Sequence, residues 1–145
     1  ECRVMSAIEV RAVSELYIRG RAIRHLEKGR VVIFAGGTGN PFFTTDTTAT
    51  LRAMDIGADA VLMAKNGVDG VYTADPNVVK DAMLLQTLEF KDMLAKNLQV
   101  MDLTAISLCM QSNIEIRVFN MGDPTNFVKV IDGDSSVGTT IKKGN

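Results

Sequence analysis

The sequence predicts an α/β fold in which a mostly parallel sheet lies between helical layers. Short, continuous apolar runs recur along the 145 residues, as is typical of strands that are buried on both faces. Between these runs, apolar residues recur at helical spacing, and glycine often follows where a helix would end. Such alternation of strand and helix is the pattern of parallel α/β proteins. Because no linker or internal repeat interrupts it, we expect one domain over residues 1–145.

The chain is predicted to begin with helices. Residues 4–30 are predicted as short helices that are separated at Gly20 and end at Gly29, a typical residue after a helix. Ala22 and Leu26 are four residues apart, as on one face of a helix.

Two predicted strands then enclose a helix. The continuous apolar run at residues 31–35 predicts a buried strand, and a hydroxyl-rich stretch follows it. A helix is predicted over residues 47–56, with Gly57 at its end, and a second buried strand over residues 59–64.

The second half continues the alternation. Asn66-Gly67 is a turn dipeptide, and Asp75-Pro76 stops the element that follows it. The elements predicted here are, in order, a short strand or hairpin return over 68–72, an extended segment over 84–88, helices over 90–94 and 102–110, a strand over 114–120, a helix over 123–131 and a last edge strand over 137–141.

Composition excludes several classes of protein. Apolar residues make up 46% and charged residues 23%, as in a soluble globular protein, and the net charge of −1 lacks the basic excess that nucleic-acid binding needs. No apolar run reaches the ~18–20 residues that span a bilayer, and no signal-peptide pattern is present. We therefore expect neither nucleic acid nor membrane as a partner.

Cysteine and histidine usage narrows the chemistry further. Cys2 and Cys109 are far apart and have no metal-like spacing, so we predict free thiols in a cytoplasmic protein, with Cys109 in the core. His25 is the single histidine, which excludes a site with several histidine ligands to a metal. We predict no metal ligands among the protein's side chains.

The strongest functional feature is the glycine-rich stretch after the first predicted strand. Gly36, Gly37 and Gly39 let the backbone approach a ligand closely, and the following helix N-terminus favours an anion such as phosphate. In open α/β sheets, ligands bind beyond the carboxyl ends of strands. The stretch matches neither the Walker A motif nor the dinucleotide fingerprint. An ordinary glycine turn followed by threonine caps is the alternative.

Side chains around these glycines suit a nucleotide. Thr44 and Thr45 add hydroxyl donors, Asn40 adds an amide for a base or sugar, and Phe42 and Phe43 offer flat apolar surface to a ring.

Asp46, in the first helical turn, is our candidate catalytic residue. It either orients a cationic side chain that touches the transferred phosphate or only offsets the helix dipole.

A second candidate set follows the second buried strand. Tyr72 could flank an adenine, Asp75 could accept hydrogen bonds from ribose hydroxyls, and Asn66 and Lys65 could reach phosphate. The alternative is a plain Asn-Gly turn followed by an Asp-Pro stop.

Taken together, these stretches resemble the bacterial UMP kinases of the amino-acid kinase superfamily. The resemblance extends from about Val4 to Ile141 and is most specific in the nine residues 38–46. The segments that carry it are residues 22–32, 38–46, 68–76, 100–102 and 117–121.

The resemblance implies an activity and a set of contacts. It implies transfer of a phosphoryl group from ATP, with Mg²⁺, to UMP, in a cytoplasmic enzyme that assembles as a homohexamer. The implied ATP contacts are Asn66, Tyr72 and Asp75. The implied UMP contacts are Thr38, Gly39, Asn40, Pro41, Phe42, Phe43, Thr44 and Thr45.

The residues before Val4 do not contain the N-terminal part of the family pattern. Family members carry a phosphate-binding lysine, a glycine pair and an acidic UMP contact in an N-terminal half, so the chain resembles the C-terminal portion. A separate N-terminal fragment is therefore an expected partner. Two alternatives stay open: a catalytically incomplete nucleotide-binding or oligomerisation fragment, and an amino-acid kinase that acts on a carboxylate or carbamate. Several kinases of the latter kind resemble this chain but have a lysine where Asp102 stands.

Overall fold

The computed structural model describes residues 1–98 and 100–144. It has an α/β architecture with helices flanking its sheets, and four of the five strand pairings in these residues are parallel. The predicted fold class is therefore confirmed. The chain divides into two compact units, Glu1–Ala58 and Asp59–Asn145, and each has its own sheet. The expectation of one domain over residues 1–145 stays a prediction.

The first unit contains a three-stranded parallel sheet and two helices. Its elements are, in chain order, β1 (Cys2–Ser6), β2 (Glu15–Leu16), α1 (Arg19–Glu27), β3 (Val31–Ala35) and α2 (Thr45–Ile56). The strand order is β2-β1-β3, so β1 is paired on both sides. The strand predicted at residues 31–35 is confirmed by β3.

The helical prediction for residues 4–30 is wrong in its first half. Val4 lies in β1, opposite Ile33 of β3, and Met5 of the same strand is completely buried. Pairing on both sides and burial outweigh helix propensity, which is a weak local preference. Gly20 lies in the first turn of α1 and does not separate two helices.

The predicted end of helix α2 at Ile56 is confirmed, and the helix begins at Thr45, two residues earlier than expected. The Thr44 side chain accepts a hydrogen bond from the Thr47 backbone N–H at 3.2 Å, which places the N-cap at Thr44. Gly57 is left-handed, with φ of 67°, as is usual after a helix. The residues that the helix buries are the polar Thr47, Thr50 and Arg52 and the apolar Ala53.

In its described residues, the second unit contains a four-stranded sheet and three helices. Its elements are, in chain order, β4 (Ala60–Lys65), β5 (Thr87–Glu89), α3 (Phe90–Ala95), α4 (Leu103–Ser112), β6 (Glu115–Asn120), α5 (Thr125–Ile131) and β7 (Thr139–Lys142). The strand order is β4-β6-β7-β5, with β4 parallel to β6 and β5 parallel to β7. The predicted order of elements in this half is therefore confirmed.

The prediction that the last strand lies at an edge is wrong. Strand β7 lies between β6 and β5 and runs antiparallel to β6, with the completely buried Ile141 opposite Ile116. Gly138 permits this position, since a Cβ there would lie 2.2 Å from the carbonyl oxygen of Val118. Its φ of 77° also favours glycine.

Residues 68–72 form one arm of a hairpin. Tyr72 forms an antiparallel bridge with Leu84, and the Thr73 N–H donates to the Met83 carbonyl at 2.9 Å. The buried Thr139 side chain anchors this arm by accepting from the Val71 N–H at 2.8 Å. The hairpin is therefore fixed to the sheet of the second unit.

Two expectations from composition can be compared with the structure. Cys2 is exposed and Cys109 is buried in α4, and neither forms a disulfide bond, as predicted. Over residues 1–98 and 100–144, no helix is both long enough and apolar enough to cross a membrane.

Candidate functional site

The glycine-rich loop of the first unit connects the end of β3 to α2. Gly36, Gly37 and Gly39 have φ values of 76°, 61° and 78°. At Gly39 a Cβ would lie 3.2 Å from the carbonyl oxygen of Ala7, which directly follows β1. At Gly39 the loop therefore lies so close to the segment after β1 that a side chain on residue 39 would be crowded.

The next residues of the loop are held by local bonds and expose their aromatic rings. The Asn40 N–H donates to Thr38 Oγ1 at 3.1 Å, and the Asn40 side-chain amide donates to the Thr38 carbonyl at 3.4 Å. Phe42 is fully exposed with a φ of 71°, a conformation that costs a non-glycine residue about 1–3 kcal/mol. Phe43 is also exposed. Two aromatic faces are thus available beside the glycines.

The start of α2 supplies the polar groups of this loop. Thr44 is the N-cap and Thr45 is the exposed first residue of the helix. Asp46 lies in the first turn, which was predicted for this residue. The N–H groups and dipole of a helix N-terminus favour an anion. This end of the 12-residue helix can therefore bind a phosphate group.

A partly buried cluster of Tyr17, Arg52 and Asp55 contacts the loop, and nothing in the sequence marked its three members as one unit. The Arg52 guanidinium donates to Asp55 Oδ2 at 3.1 Å and to the Gly37 carbonyl at 3.4 Å, and its Cζ lies 3.7 Å from the centre of the Tyr17 ring. The Tyr17 hydroxyl donates to Asp55 Oδ2 at 2.7 Å. Burial and this hydrogen bond raise the pKa of Tyr17. The spacing of Arg52 and Asp55 was visible as an ordinary helix pair, but the contact with Gly37 depends on tertiary structure.

The second unit has a cavity of about 430 Å³ beside the hairpin. Its volume is in the range of small-molecule sites. Tyr72 and Asp75 line it, together with other residues of 67–77 and with Asn97, Leu98 and Val100. Asn66 directly precedes the lining residue Gly67 and follows the last residue of β4.

Tyr72 is held by a chain of hydrogen bonds that ends at β6. Its hydroxyl donates to Asp69 Oδ2 at 3.1 Å, and the Asn120 side-chain amide donates to Asp69 Oδ1 at 2.8 Å. Burial and the bond to Asp69 raise the pKa of Tyr72. Asn120 lies opposite Lys65 in the pairing of β6 with β4. Sequence spacing did not reveal Asn120, because 51 residues separate it from Asp69.

Asp75, which lines the cavity, organises the turn that follows it. Its Oδ1 accepts from the Asn77 backbone N–H at 2.9 Å and from the Asn77 side-chain amide at 3.1 Å. The same geometry is found in ordinary aspartate turns. A nucleotide contact of Asp75 therefore stays a prediction.

The predicted site residues fall into two groups, one in each unit. Residues 38–46 form one continuous loop and helix start in the first unit, whereas Tyr72 and Asp75 share the cavity of the second. In residues 1–98 and 100–144, no cluster of three or more His, Cys, Asp or Glu side chains could hold a metal ion.

The chain is similar to known kinases over most of its length. The sequence model of the amino acid kinase family matches residues 5–120. Uridylate kinases of Limosilactobacillus reuteri (strain DSM 20016) and Pediococcus pentosaceus are 59% and 55% identical over 140 residues, or 97% of this chain. The chain spans 58% of the length of each of these relatives.

Solved structures agree with these sequence matches. The UMP kinase of Bacillus anthracis has a TM-score of 0.96 at 43% identity, and the match covers 100% of this chain and 59% of the solved one. The UMP kinase of Ureaplasma parvum has a TM-score of 0.92 at 37% identity, covering 98% and 60%.

Proposed function

Because the chain belongs to the amino acid kinase family, we propose that it carries the nucleotide-binding region of a UMP kinase. Such an enzyme transfers the γ-phosphoryl group of ATP to UMP and releases ADP and UDP. The observation that carries the proposal is the loop between β3 and α2, where positive-φ glycines precede a threonine-capped helix. The similar uridylate kinases support UMP as the acceptor.

UMP is assigned to residues 38–45. The N-terminus of α2 and the Thr45 hydroxyl suit the phosphate of UMP, because both offer hydrogen-bond donors to an anion. The exposed rings of Phe42 and Phe43 suit contact with uracil. The Asn40 amide can both donate to and accept from a pyrimidine edge.

ATP is assigned to the cavity beside the hairpin. The Tyr72 ring would flank adenine, and the Asp75 carboxylate would accept hydrogen bonds from ribose hydroxyls. Asn66, at the end of β4, would reach the base or a phosphate. The hydrogen bond from Tyr72 to Asp69 supports this assignment, because it fixes the ring that would meet adenine.

Asp46 is assigned the catalytic role. Phosphoryl transfer depends mainly on positioning and on stabilising charge on the transferred group. A carboxylate at the start of α2 can orient a cationic group toward that charge. In this role Asp46 would affect turnover more than the affinity for UMP.

Mg²⁺ is expected to accompany ATP. Magnesium keeps several waters and is bound largely through the phosphates of its substrate, so we assign it to the nucleotide and to no side chain of this chain. When bound, Mg²⁺ neutralises charge on the β- and γ-phosphates.

The assembly and location follow from the same proposal. We propose a homohexamer in the cytoplasm, as the resemblance to bacterial UMP kinases implies. Light scattering of the purified protein measures the mass of the assembly directly. A monomer at all concentrations would contradict the hexamer.

The proposed activity is tested by exchanging a segment. The chain replaces the matching 140 residues of the L. reuteri uridylate kinase, and ADP release is measured with UMP, with carbamate and with an amino-acid carboxylate as acceptors. We expect release with UMP only. Release with carbamate or a carboxylate instead would favour the other amino-acid kinase activity. A folded chimera that is inactive with every acceptor would favour the incomplete fragment.

A further inference from the structure

Arg52 is a buried cation in the second half of α2. Only 8% of the residue is exposed. Buried arginines need partners, because an unpaired charge away from water is costly. Asp55, one helical turn further along, supplies the opposite charge at 3.1 Å. This pair alone would satisfy the charge, so the remaining contacts of Arg52 need a separate explanation.

Contact with the Tyr17 ring, which is itself held in place, fixes the plane of the guanidinium. Its Cζ lies 3.7 Å from the centre of the Tyr17 ring, and that ring packs edge-on against Phe34 of β3 at 5.5 Å. The Tyr17 hydroxyl donates to the same Asp55 oxygen that Arg52 contacts. An arginine held by stacking and by an ion pair keeps its donors in one orientation.

The second terminal nitrogen of the Arg52 guanidinium is directed at the loop assigned to UMP. The guanidinium donates to the Gly37 carbonyl at 3.4 Å. The described peptide bonds are not cis, and in a trans peptide the carbonyl and the following N–H point in opposite directions. Holding the Gly37 carbonyl toward the helix therefore directs the N–H of Thr38 away from it. A cationic donor on the carbonyl also polarises the peptide, which makes that N–H a stronger donor.

We propose that Arg52 is a positioning residue for the UMP loop, a role that rests on the function proposed above. Through Gly37 it fixes the peptide between Gly37 and Thr38, where residues 38–45 begin. Glycines with positive φ are conformationally permissive. Fixing the Gly37 carbonyl reduces the number of conformations that the loop adopts before UMP binds. Losing the hydrogen bond from Arg52 to Gly37 should therefore weaken UMP binding.

The test compares two substitutions of Arg52 with a control on the same helix. Arg52→Lys keeps the charge but loses the planar guanidinium with its several N–H donors, and Arg52→Met loses both the charge and the guanidinium. Ala53→Gly lowers the stability of α2 through its backbone, although Ala53 has no assigned role in the loop. Calorimetry of the segment-exchange chimera measures the affinities for UMP and ATP, and nuclear magnetic resonance of the 145-residue chain measures the Thr38 amide shift without ligand.

We expect both Arg52 variants to bind UMP about tenfold more weakly, as for loss of one hydrogen bond made by a charged group. ATP affinity should stay at the wild-type value, and the Thr38 amide signal should move. Ala53→Gly should change neither UMP affinity nor that signal. Wild-type UMP affinity in both Arg52 variants, or equal weakening in Ala53→Gly, would overturn the proposal.

The proposal about Arg52 can still be decided if its variants do not fold or if UMP does not bind. If neither Arg52 variant folds, Asp55→Asn removes the charge partner with little change of shape. An unmoved Thr38 signal in that variant would overturn the positioning role. If the chimera with the wild-type segment does not bind UMP, the proposed function fails, and the Thr38 signal without ligand still decides whether Arg52 positions the loop.

Discussion

Thr45 is the first residue of α2 and is exposed beside the loop assigned to UMP. Thr45→Val keeps the shape of the side chain and removes its hydroxyl. If this hydroxyl donates to the UMP phosphate, UMP binding should weaken by about 1–3 kcal/mol, the cost of a lost hydrogen bond to a charged group. The measurement is calorimetric titration of the segment-exchange chimera with UMP and with ATP.

Asp75→Ala in the same chimera is the matched control. Asp75 lines the cavity of the other unit, so its loss should raise the KM for ATP more than the KM for UMP. Thr45→Val should show the reverse order. If the two variants exchange these effects, the UMP and ATP assignments are interchanged.

The two tyrosines give a prediction about pH. Burial, followed by a hydrogen bond to an aspartate, raises the pKa of both Tyr17 and Tyr72 above the ordinary value of 10.0. The folded protein therefore keeps protons that the unfolded chain releases above pH 10, so stability is retained below that pH and falls as pH rises through the folded pKa values.

Absorbance of tyrosinate follows this ionisation directly, because the sequence has only these two tyrosines and no tryptophan. Denaturant unfolding at several alkaline pH values measures the stability, with Tyr17→Phe as the comparison. Stability that stays constant above pH 10, or phenols that ionise below it, would refute the prediction.

At the scale of elements, two glycines at helix ends offer opposite predictions. Gly57 ends α2 with a φ of 67°, whereas Gly20 lies in the first turn of α1, and a Cβ would meet no atom within 4 Å at either. Gly57→Ala should therefore destabilise the protein by about 1 kcal/mol through backbone strain. Gly20→Ala should stabilise it by about 0.4–1 kcal/mol. Thermal unfolding of both variants measures this; shifts of equal sign would contradict it.

Elements with strong local signals could be predicted from the sequence. Strand β3 is a continuous apolar run, and α2 has a glycine at its end and hydroxyls at its start, so both were predicted close to their observed bounds. Strand β1 was mistaken for a helix, because its identity depends on pairing with β3 and burial of Met5. The interior position of β7 depends on close contact with β6 at Gly138, which sequence periodicity does not report.

The residues of the candidate site also fall into those that the sequence could predict and those that it could not. The loop at residues 38–46 and the cavity residues Tyr72 and Asp75 lie in short sequence motifs, so they could be proposed before the structure. Arg52 and Asn120 could not be assigned a place there, because the groups they support are 15 and 51 residues away. Supporting contacts of this kind are formed only when distant segments fold together.

At the scale of the whole molecule, the chain has two compact units that each carry one group of candidate residues. It spans 58% of the length of similar uridylate kinases, so its activity as part of a whole enzyme is a proposal. The expected order of nucleotide contacts along the chain is UMP first and ATP second.

Transfer of a radiolabelled γ-phosphoryl group is the most direct test of the proposed activity. The segment-exchange chimera is incubated with γ-labelled ATP, Mg²⁺ and UMP, and the products are separated and counted. Asp46→Asn provides a comparison that keeps the size of the side chain and removes its charge. We predict that the label appears in UDP and that Asp46→Asn slows its appearance more than it weakens UMP binding. Label that stays in ATP, or that is released only as inorganic phosphate by a folded chimera, would contradict the account.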